Sequence, residues 1–327
     1  MQKVLITGST GYIGSCCYEF FKKKYKVFGI DAKIPKIKKQ KNFYRCNLTH
    51  KNKLNRIIKI IKPNIVIHLA GQSTIDGINN KKKYIINNYI ATKCLLEVLL
   101  QNKIKKLIFA STAAIYKSKN KLITENSTVG PNNIYGSTKL ECEKKIAKEN
   151  INYINFRFFN VCSSLYANHV GEFHRPETHF VPIIVNKALF KKKIKIYGNN
   201  FNTKDGTCIR DYIHIKDLLI AFKLAIKYLN NSKKSLTLNL GTGKGYSNLN
   251  LIKFADNFFK KKNIKINYEI SKTKRHGDSS SLICSNKRAK KALLWVPKFS
   301  NLKKIFEDEY KWQINLKNRK LFVKTIY

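Results

Sequence analysis

The stretch Lys3-Val4-Leu5-Ile6-Thr7-Gly8-Ser9-Thr10-Gly11-Tyr12-Ile13-Gly14 decides the fold of this chain. Lys3–Thr7 is short, apolar and β-branched, the pattern of a buried strand. A G-x-x-G-x-x-G turn follows, and the next segment reads as a helix to about Lys24. Glycine permits the tight turn and lets backbone come close to a ligand. The helix start offers unpaired N–H groups and the positive end of a dipole, both suited to a pyrophosphate. The last glycine allows close packing of helix on strand. Glycines alone are a weak signal, but a strand before them and a helix after make this a dinucleotide site. Lys26–Asp31 reads as a second strand, and Asp31 ends it a little over 20 residues after Gly8. A carboxylate there accepts from the adenosine ribose hydroxyls and repels a 2′-phosphate, so NAD is expected rather than NADP. Lys33 and Lys36 stand nearby and pull the other way.

The alternation continues outward. Leu54–Ile61 reads as a helix stopped by Pro63, Asn64–Leu69 as a strand, and Tyr84–Gln101 as one long amphipathic helix. Lys106–Ser111 is a strand, Tyr135–Glu149 a helix and Tyr153–Phe159 a strand. Strands alternating with helices give an α/β fold, a doubly wound parallel sheet covered on both faces, with ligands at the carboxyl ends of its strands. The second half is less regular. Residues 160–182 are rich in turn formers and aromatics, and 199–207 read as a polar loop. Pro182–Phe190, residues 217–229 and Leu249–Lys261 read as helices, and Ser235–Leu240 as a strand. The basic loop 33–42 yields no reading.

The chain has 327 residues, which at roughly 150 per domain suggests about two domains. Lys and Arg number 65 against 19 acidic residues, a net charge of +46. Such a charge can mark a nucleic-acid or anionic-membrane binder. Here the lysines fall in short scattered runs, such as Lys81–Lys83 and Lys191–Lys193, rather than on one tail. Drift toward Lys, Asn and Ile accounts for this better, and nucleic acid is not the expected partner. The eight cysteines form no C-x-x-C pair, and no metal site is expected. No leader is read before Val4-Leu5-Ile6 and no apolar run approaches the ~20 residues of a membrane span, so a cytoplasmic protein is expected.

Tyr135 and Lys139 form a Y-x-x-x-K, one helical turn apart on one face. A neighbouring ammonium is expected to lower the phenol's pKa and make it a general base. Ser111-Thr112, at the end of a strand, supplies a hydroxyl beside it. In this order, the glycine turn, acidic strand end, hydroxyl and Y-x-x-x-K resemble the extended short-chain dehydrogenase/reductases, whose fold is Rossmann-like. The likeness runs nearly end to end and is strongest to the members that epimerise C4 of UDP-hexoses. Val66-Ile67-His68-Leu69-Ala70-Gly71 and Asn87-Asn88 carry it in the first half. Downstream it rests on Arg157-Phe158-Phe159-Asn160-Val161, Gly171-Glu172, Pro176-Glu177-Thr178-His179, residues 205–214 (DGTCIRDYIH), Arg275-His276-Gly277-Asp278 and Leu294-Trp295-Val296-Pro297-Lys298-Phe299.

The resemblance implies that NAD is held by Gly8, Gly11, Tyr12, Ile13, Gly14, Asp31, Asn47, Leu48, Leu69, Ala70, Gly71, Asn88, Ser111, Tyr135, Lys139 and Phe159. It implies that Thr112, Asn160, Phe180, Arg210, Tyr212, Arg275 and Asp278 bind the UDP-sugar, the arginines on its diphosphate. Tyr135, Lys139 and Thr112 are the implied catalytic group. It also implies a homodimer and two domains. Residues 1–165 would bind NAD, with about 213–242 returning to them, and 166–327 would form a smaller α/β substrate domain.

A 4,6-dehydratase would need an Asp-Glu pair after Thr112, where this chain has Ala113-Ala114. An epimerase of UDP-sugar acids stays open on the sequence, and a nucleic-acid binder on a dehydrogenase fold is the rival from another class. The chain departs from the family at Ala32, at Cys46-Asn47, where Gly-Asp is usual, and at Ser73, which is Lys in some members. Leu282 stands near a residue that gates N-acetylated sugars, and its modest size suggests that UDP-N-acetylglucosamine is accepted.

Overall fold

A computed structural model describes residues 1–35, 39–72, 80–117, 122–166, 169–174, 176–275 and 277–318; Lys36, Ser73 and His276 lie outside them. The first part runs β1 (Lys3–Thr7), α1 (Tyr12–Phe21), β2 (Lys26–Asp31), β3 (Phe43–Arg45), α2 (Lys51–Ile61) and β4 (Ile65–His68). A helical turn, α3 (Lys81–Tyr84), passes through a π-helical stretch (Ile85–Ile90) into α4 (Ala91–Gln101). Next come β5 (Lys106–Thr112), a 3₁₀ turn (Ala113–Ile115), α5 (Ile134–Ala147) and β6 (Asn152–Phe158).

The second part starts with β7 (Asn160–Cys162), β8 (Ser164–Leu165), β9 (Val170–Gly171), α6 (Phe180–Leu189), β10 (Ile194–Tyr197) and β11 (Ile209–His214). It goes on with α7 (Ile215–Asn231), β12 (Leu236–Leu240), β13 (Gly245–Ser247), α8 (Asn248–Lys260) and β14 (Tyr268–Ser271). It ends with β15 (Ser281–Leu282), α9 (Lys287–Leu293) and α10 (Leu302–Asn318).

Seven strands form one sheet in the order β12-β6-β5-β4-β1-β2-β3, and every neighbouring pair is parallel. Strand alternation sends Val4 and Ile6 into the core with α1 and α7, and Leu5 into the opposite core with α2 and α4. Two apolar faces need two helical layers, and the chain supplies them. The winding reverses between β1 and β4, so the glycine turn after β1 lies at the switch point. β12 pairs with β6 at one edge, which brings residues of the second half back to this sheet.

β11 organises the rest. It pairs with β7, β13 and β15, drawing together segments far apart in sequence. A third core fills between α6, α8 and α10, with Ile184, Phe259 and Phe306 wholly buried. α8 is started by a capping box between Ser247 and Asn250.

Two differences from the sequence reading have physical causes. The helix expected over Tyr84–Gln101 contains the π stretch, which turns Asn88 inward to bind the β4 side and α5. β11 carries Arg210, Asp211 and His214 on both of its faces, buried where a covered strand would be apolar throughout, and remote partners satisfy them. The short strands of residues 160–171 and α10 were not expected. All eight cysteines are free. Among the described residues, no helix is long and apolar enough to cross a membrane.

Candidate active site

The glycine turn is held by sterics. Gly8 has φ of 69°, and a Cβ there would meet the Ala70 nitrogen at 2.6 Å. A Cβ on Gly14 would strike the Gly8 carbonyl oxygen at 2.0 Å. Both glycines are demanded by the fold. Gly11 is different, because a Cβ there would meet just that oxygen, at 3.5 Å. The fold has little need of glycine at that point, whereas a ligand pressed against the helix start does. Gly11 is the N-cap of α1, and no side chain caps it.

Asp31 turns back to this loop. Its Oδ2 accepts from the Thr10 N–H at 3.0 Å and the Thr10 hydroxyl at 2.8 Å. Asn47 follows β3, its side chain accepting from the Thr49 N–H at 3.1 Å, and Leu48 is buried beside it. Ile13 is partly buried against the α1 core. Leu69 and Ala70 continue β4, and the Leu69 N–H reaches the Thr7 carbonyl at 3.1 Å. A Cβ on Gly71 would meet Asn88 Oδ1 at 2.8 Å and Lys139 Nζ at 3.3 Å. Asn88 in turn donates to Thr138 on α5 at 3.0 Å. The Ser111 hydroxyl is buried with no partner, a polar atom the fold leaves open at the sheet's carboxyl end. The Tyr12 hydroxyl donates to the Ser163 carbonyl at 2.6 Å, so it is spent on the second half of the chain.

Thr112 ends β5, and Asn133 caps α5 so that Tyr135 falls in its first turn. Gly136 lets that turn sit on the 3₁₀ turn, for a Cβ there would meet the Ala114 carbonyl oxygen at 2.3 Å. This brings the Tyr135 phenol to the Thr112 side chain. The expected depression of the phenol pKa is not found. Burial raises it to about 12, and the nearby Thr112 side chain offsets only part of the rise. Lys139 Nζ instead donates to the Ala110 carbonyl at 2.8 Å and lies 4.8 Å from the Phe109 ring centre. Its own pKa is lowered, burial being the main cause.

Phe158 pairs with Thr112 across the sheet, Phe159 is buried, and Asn160 pairs with Tyr212. Arg210 lies two residues before Tyr212, and its Nη2 meets Asp278 Oδ1 at 3.0 Å. Its Nη1 donates to the carbonyls of Ile209 and Ser279. Arg275 stacks 4.5 Å from the Tyr197 ring centre. Asn132, just before α5, donates to the Gly277 carbonyl at 3.0 Å and ties this segment to the Tyr135 helix. Phe180 opens α6, on the loop side.

Other residues of the recognised stretches are structural. Asp211 accepts from Thr242, Gly243 and Cys284. Asp217 gathers the N–H groups of Lys298 and Phe299 and the Ser300 hydroxyl, and its carbonyl takes the Trp295 indole N–H at 2.9 Å. Arg157 makes a buried two-point pair with Glu143, at 3.0 and 2.6 Å, and donates to Tyr116.

The sequence reading missed one gathering of side chains. Glu172, His174, Glu177 and His179 present ligand-type atoms all within 4.8 Å of one another. The spacing E-x-H-x-x-E-x-H was the available signal. It involves no cysteine, so the absence of a C-x-x-C pair does not bear on it.

Comparison with known proteins identifies the family. A model of the NAD dependent epimerase/dehydratase family matches residues 4–241. A UDP-glucose 4-epimerase of Lactobacillus helveticus is 35% identical over 323 residues, covering 95% of this chain and 97% of that one. A crystal structure of a UDP-glucose 4-epimerase superposes with a TM-score of 0.89 at 36% identity, covering 97% of this chain and 99% of that one. The Stenotrophomonas maltophila enzyme, crystallised with NAD and formylated UDP-arabinopyranose, gives a TM-score of 0.90 at 25% identity over 98% of this chain and 100% of that one. This chain belongs to the NAD dependent epimerase/dehydratase family.

Proposed function

We propose that the chain interconverts UDP-glucose and UDP-galactose by inverting C4 of the hexose with NAD held in place. The observation that carries this reading is the meeting of the Tyr135 phenol with the Thr112 side chain at the carboxyl end of the sheet, with Lys139 one turn along α5. The open face of Gly11, the uncapped start of α1 and the unpartnered Ser111 hydroxyl fit a dinucleotide, and Asp31 fits its ribose. When bound, NAD supplies the hydride chemistry at C4.

The chain's own residues handle the proton and the position. Tyr135 exchanges the C4 hydroxyl proton, and Thr112 holds the same oxygen. With its pKa near 12 the phenol is protonated at neutral pH, which suits donation to a 4-keto oxygen. The reverse transfer needs a lower pKa in the loaded site. Arg210 and Arg275 would anchor the diphosphate, and Asn160, Phe180, Tyr212 and Asp278 would border the nucleotide. Asp278 already holds Arg210, so one edge of that guanidinium is fixed before a phosphate arrives. Ala113 and Ala114 supply no acid/base pair for eliminating the C6 hydroxyl. Leu282 pairs with Arg210 and is partly buried, which supports acceptance of UDP-N-acetylhexosamines as a second substrate class.

We further propose that residues 1–165 with about 213–242 bind NAD, and that 166–327 otherwise bind the UDP-sugar. A homodimer acting in the cytoplasm in galactose metabolism is the setting that the family resemblance supports. In the decisive assay, purified protein is given UDP-galactose without added NAD and UDP-glucose is followed. We expect conversion, reduced by about 10²–10⁴-fold in Tyr135→Phe. Absence of conversion even with NAD supplied overturns the reading.

A further inference from the structure

Between β9 and α6, four side chains that commonly ligate metals converge on one point. His174 Nδ1 lies 3.0 Å from Glu172 Oε1 and 3.8 Å from Glu177 Oε1. His179 Nδ1 lies 3.5 Å from Glu177 Oε1 and also contacts Glu172 Oε1. Bonds of about 2.0–2.2 Å to a tetrahedral ion put its ligand atoms about 3.4 Å apart. These spacings bracket that value.

A second observation concerns Glu172. It is wholly buried, and while its Oε1 takes contacts from both histidines, its Oε2 is buried with no hydrogen-bond partner. A buried carboxylate oxygen without a partner is costly. Hydrogen bonds within the cluster do not meet that cost, because both histidines serve the same oxygen. A cation bound by the carboxylate does. We propose that Glu172, His174, Glu177 and His179 bind one divalent transition-metal ion.

Two imidazole nitrogens with two carboxylates suit zinc and its first-row neighbours, whereas calcium and magnesium take all-oxygen sets. His179 is about half exposed, which gives the ion a way in. The surroundings are built as a support. The Trp312 indole N–H donates to the Glu172 carbonyl at 2.7 Å, and the Tyr12 ring stands edge-on to His174 at 6.5 Å. Tyr12 belongs to the glycine turn, and Phe180 follows His179 directly at the start of α6. An ion here therefore clamps the loop that runs from the cofactor turn to the nucleotide side. Its role is structural, and it stands apart from the transfer of hydride or proton.

The test uses the full chain, stripped with chelator, exchanged into zinc chloride and passed through gel filtration. Elemental analysis is expected to find one zinc per chain, and adding zinc is expected to change the tryptophan emission through Trp312. His174→Gln and Glu177→Gln are each expected to weaken zinc binding at least about tenfold, while His50→Gln binds as before. Cobalt distinguishes this site from the eight free cysteines. Tetrahedral visible bands without thiolate charge transfer are expected. Wild-type protein that retains no zinc overturns the proposal, as does zinc that survives both substitutions or cobalt bands of thiolate type. Should either variant misfold, the wild-type stoichiometry and cobalt spectrum still decide it.

Discussion

On the seven-stranded sheet most buried polar groups are matched, the Ser111 hydroxyl and Asn155 Oδ1 being the exceptions. His68 sits between the hydroxyls of Thr7 and Thr92, at 2.7 and 2.9 Å, and Arg157 meets both oxygens of Glu143. Around β9 and α10 the matching is incomplete. Glu172 Oε2, Glu309 Oε2 and Gln313 Oε1 are buried with no partner, although Gln313 Nε2 donates to Glu309 Oε1 at 2.6 Å. A closed network pays for its own burial, and an open one lowers stability unless a ligand completes it. Ser111 and Asn155 apart, the sheet therefore has the polar interior of a scaffold, and the β9–α10 region that of a place where something binds.

The comparison breaks first at Arg157. Arg157→Met leaves the Glu143 carboxylate buried and unpaired, and is expected to cost about 3–5 kcal/mol in urea unfolding. A loss under about 1 kcal/mol would mean that water already reaches the pair, and the sheet would not be closed as described.

His68 sharpens the same side through pH. Burial, aided by the Lys139 charge, lowers its pKa from 6.5 to about 3. The folded protein keeps the ring neutral while the unfolded chain protonates it. Its contribution is thus fully present above 6.5 and is lost as pH falls from 6.5 toward 3. Between pH 7 and pH 5 the loss is about 2 kcal/mol. Unfolding measured across that range should show a shallower slope in His68→Asn than in the parent. Equal slopes would place the titration elsewhere.

The two regions also differ in how much of them the sequence reveals. Lys3–Thr7 and Lys26–Asp31 fall where their apolar runs put them, because a strand buried on both faces carries its own pattern. β11 was not legible, since Arg210 and Asp211 are buried by Asp278, Thr242 and Gly243, which arrive from far along the chain. The meeting of Thr112 with Tyr135 was legible from order and spacing. The sign of the Tyr135 pKa shift was not, because burial is a property of the assembled site and the lysine turns to the Ala110 carbonyl instead. Trp295 stood out by resemblance, but its cause, the carbonyl of Asp217, needed the fold. The ligand-type spacing from Glu172 to His179 was visible, and its convergence was not.

The smallest expected effect tests the open region. Glu309 and Gln313 lie one turn apart on α10, bonded to each other while each keeps a bare oxygen. Removing one partner of a buried hydrogen bond leaves the other stranded, but removing both together also removes the bare oxygens. Glu309→Leu with Gln313→Leu should therefore unfold within about 1 kcal/mol of the parent, or be slightly more stable. A loss of about 3 kcal/mol or more would show that these oxygens have partners that folding itself supplies. The region would then be as closed as the sheet, and the contrast between scaffold and binding place would fail at its open end.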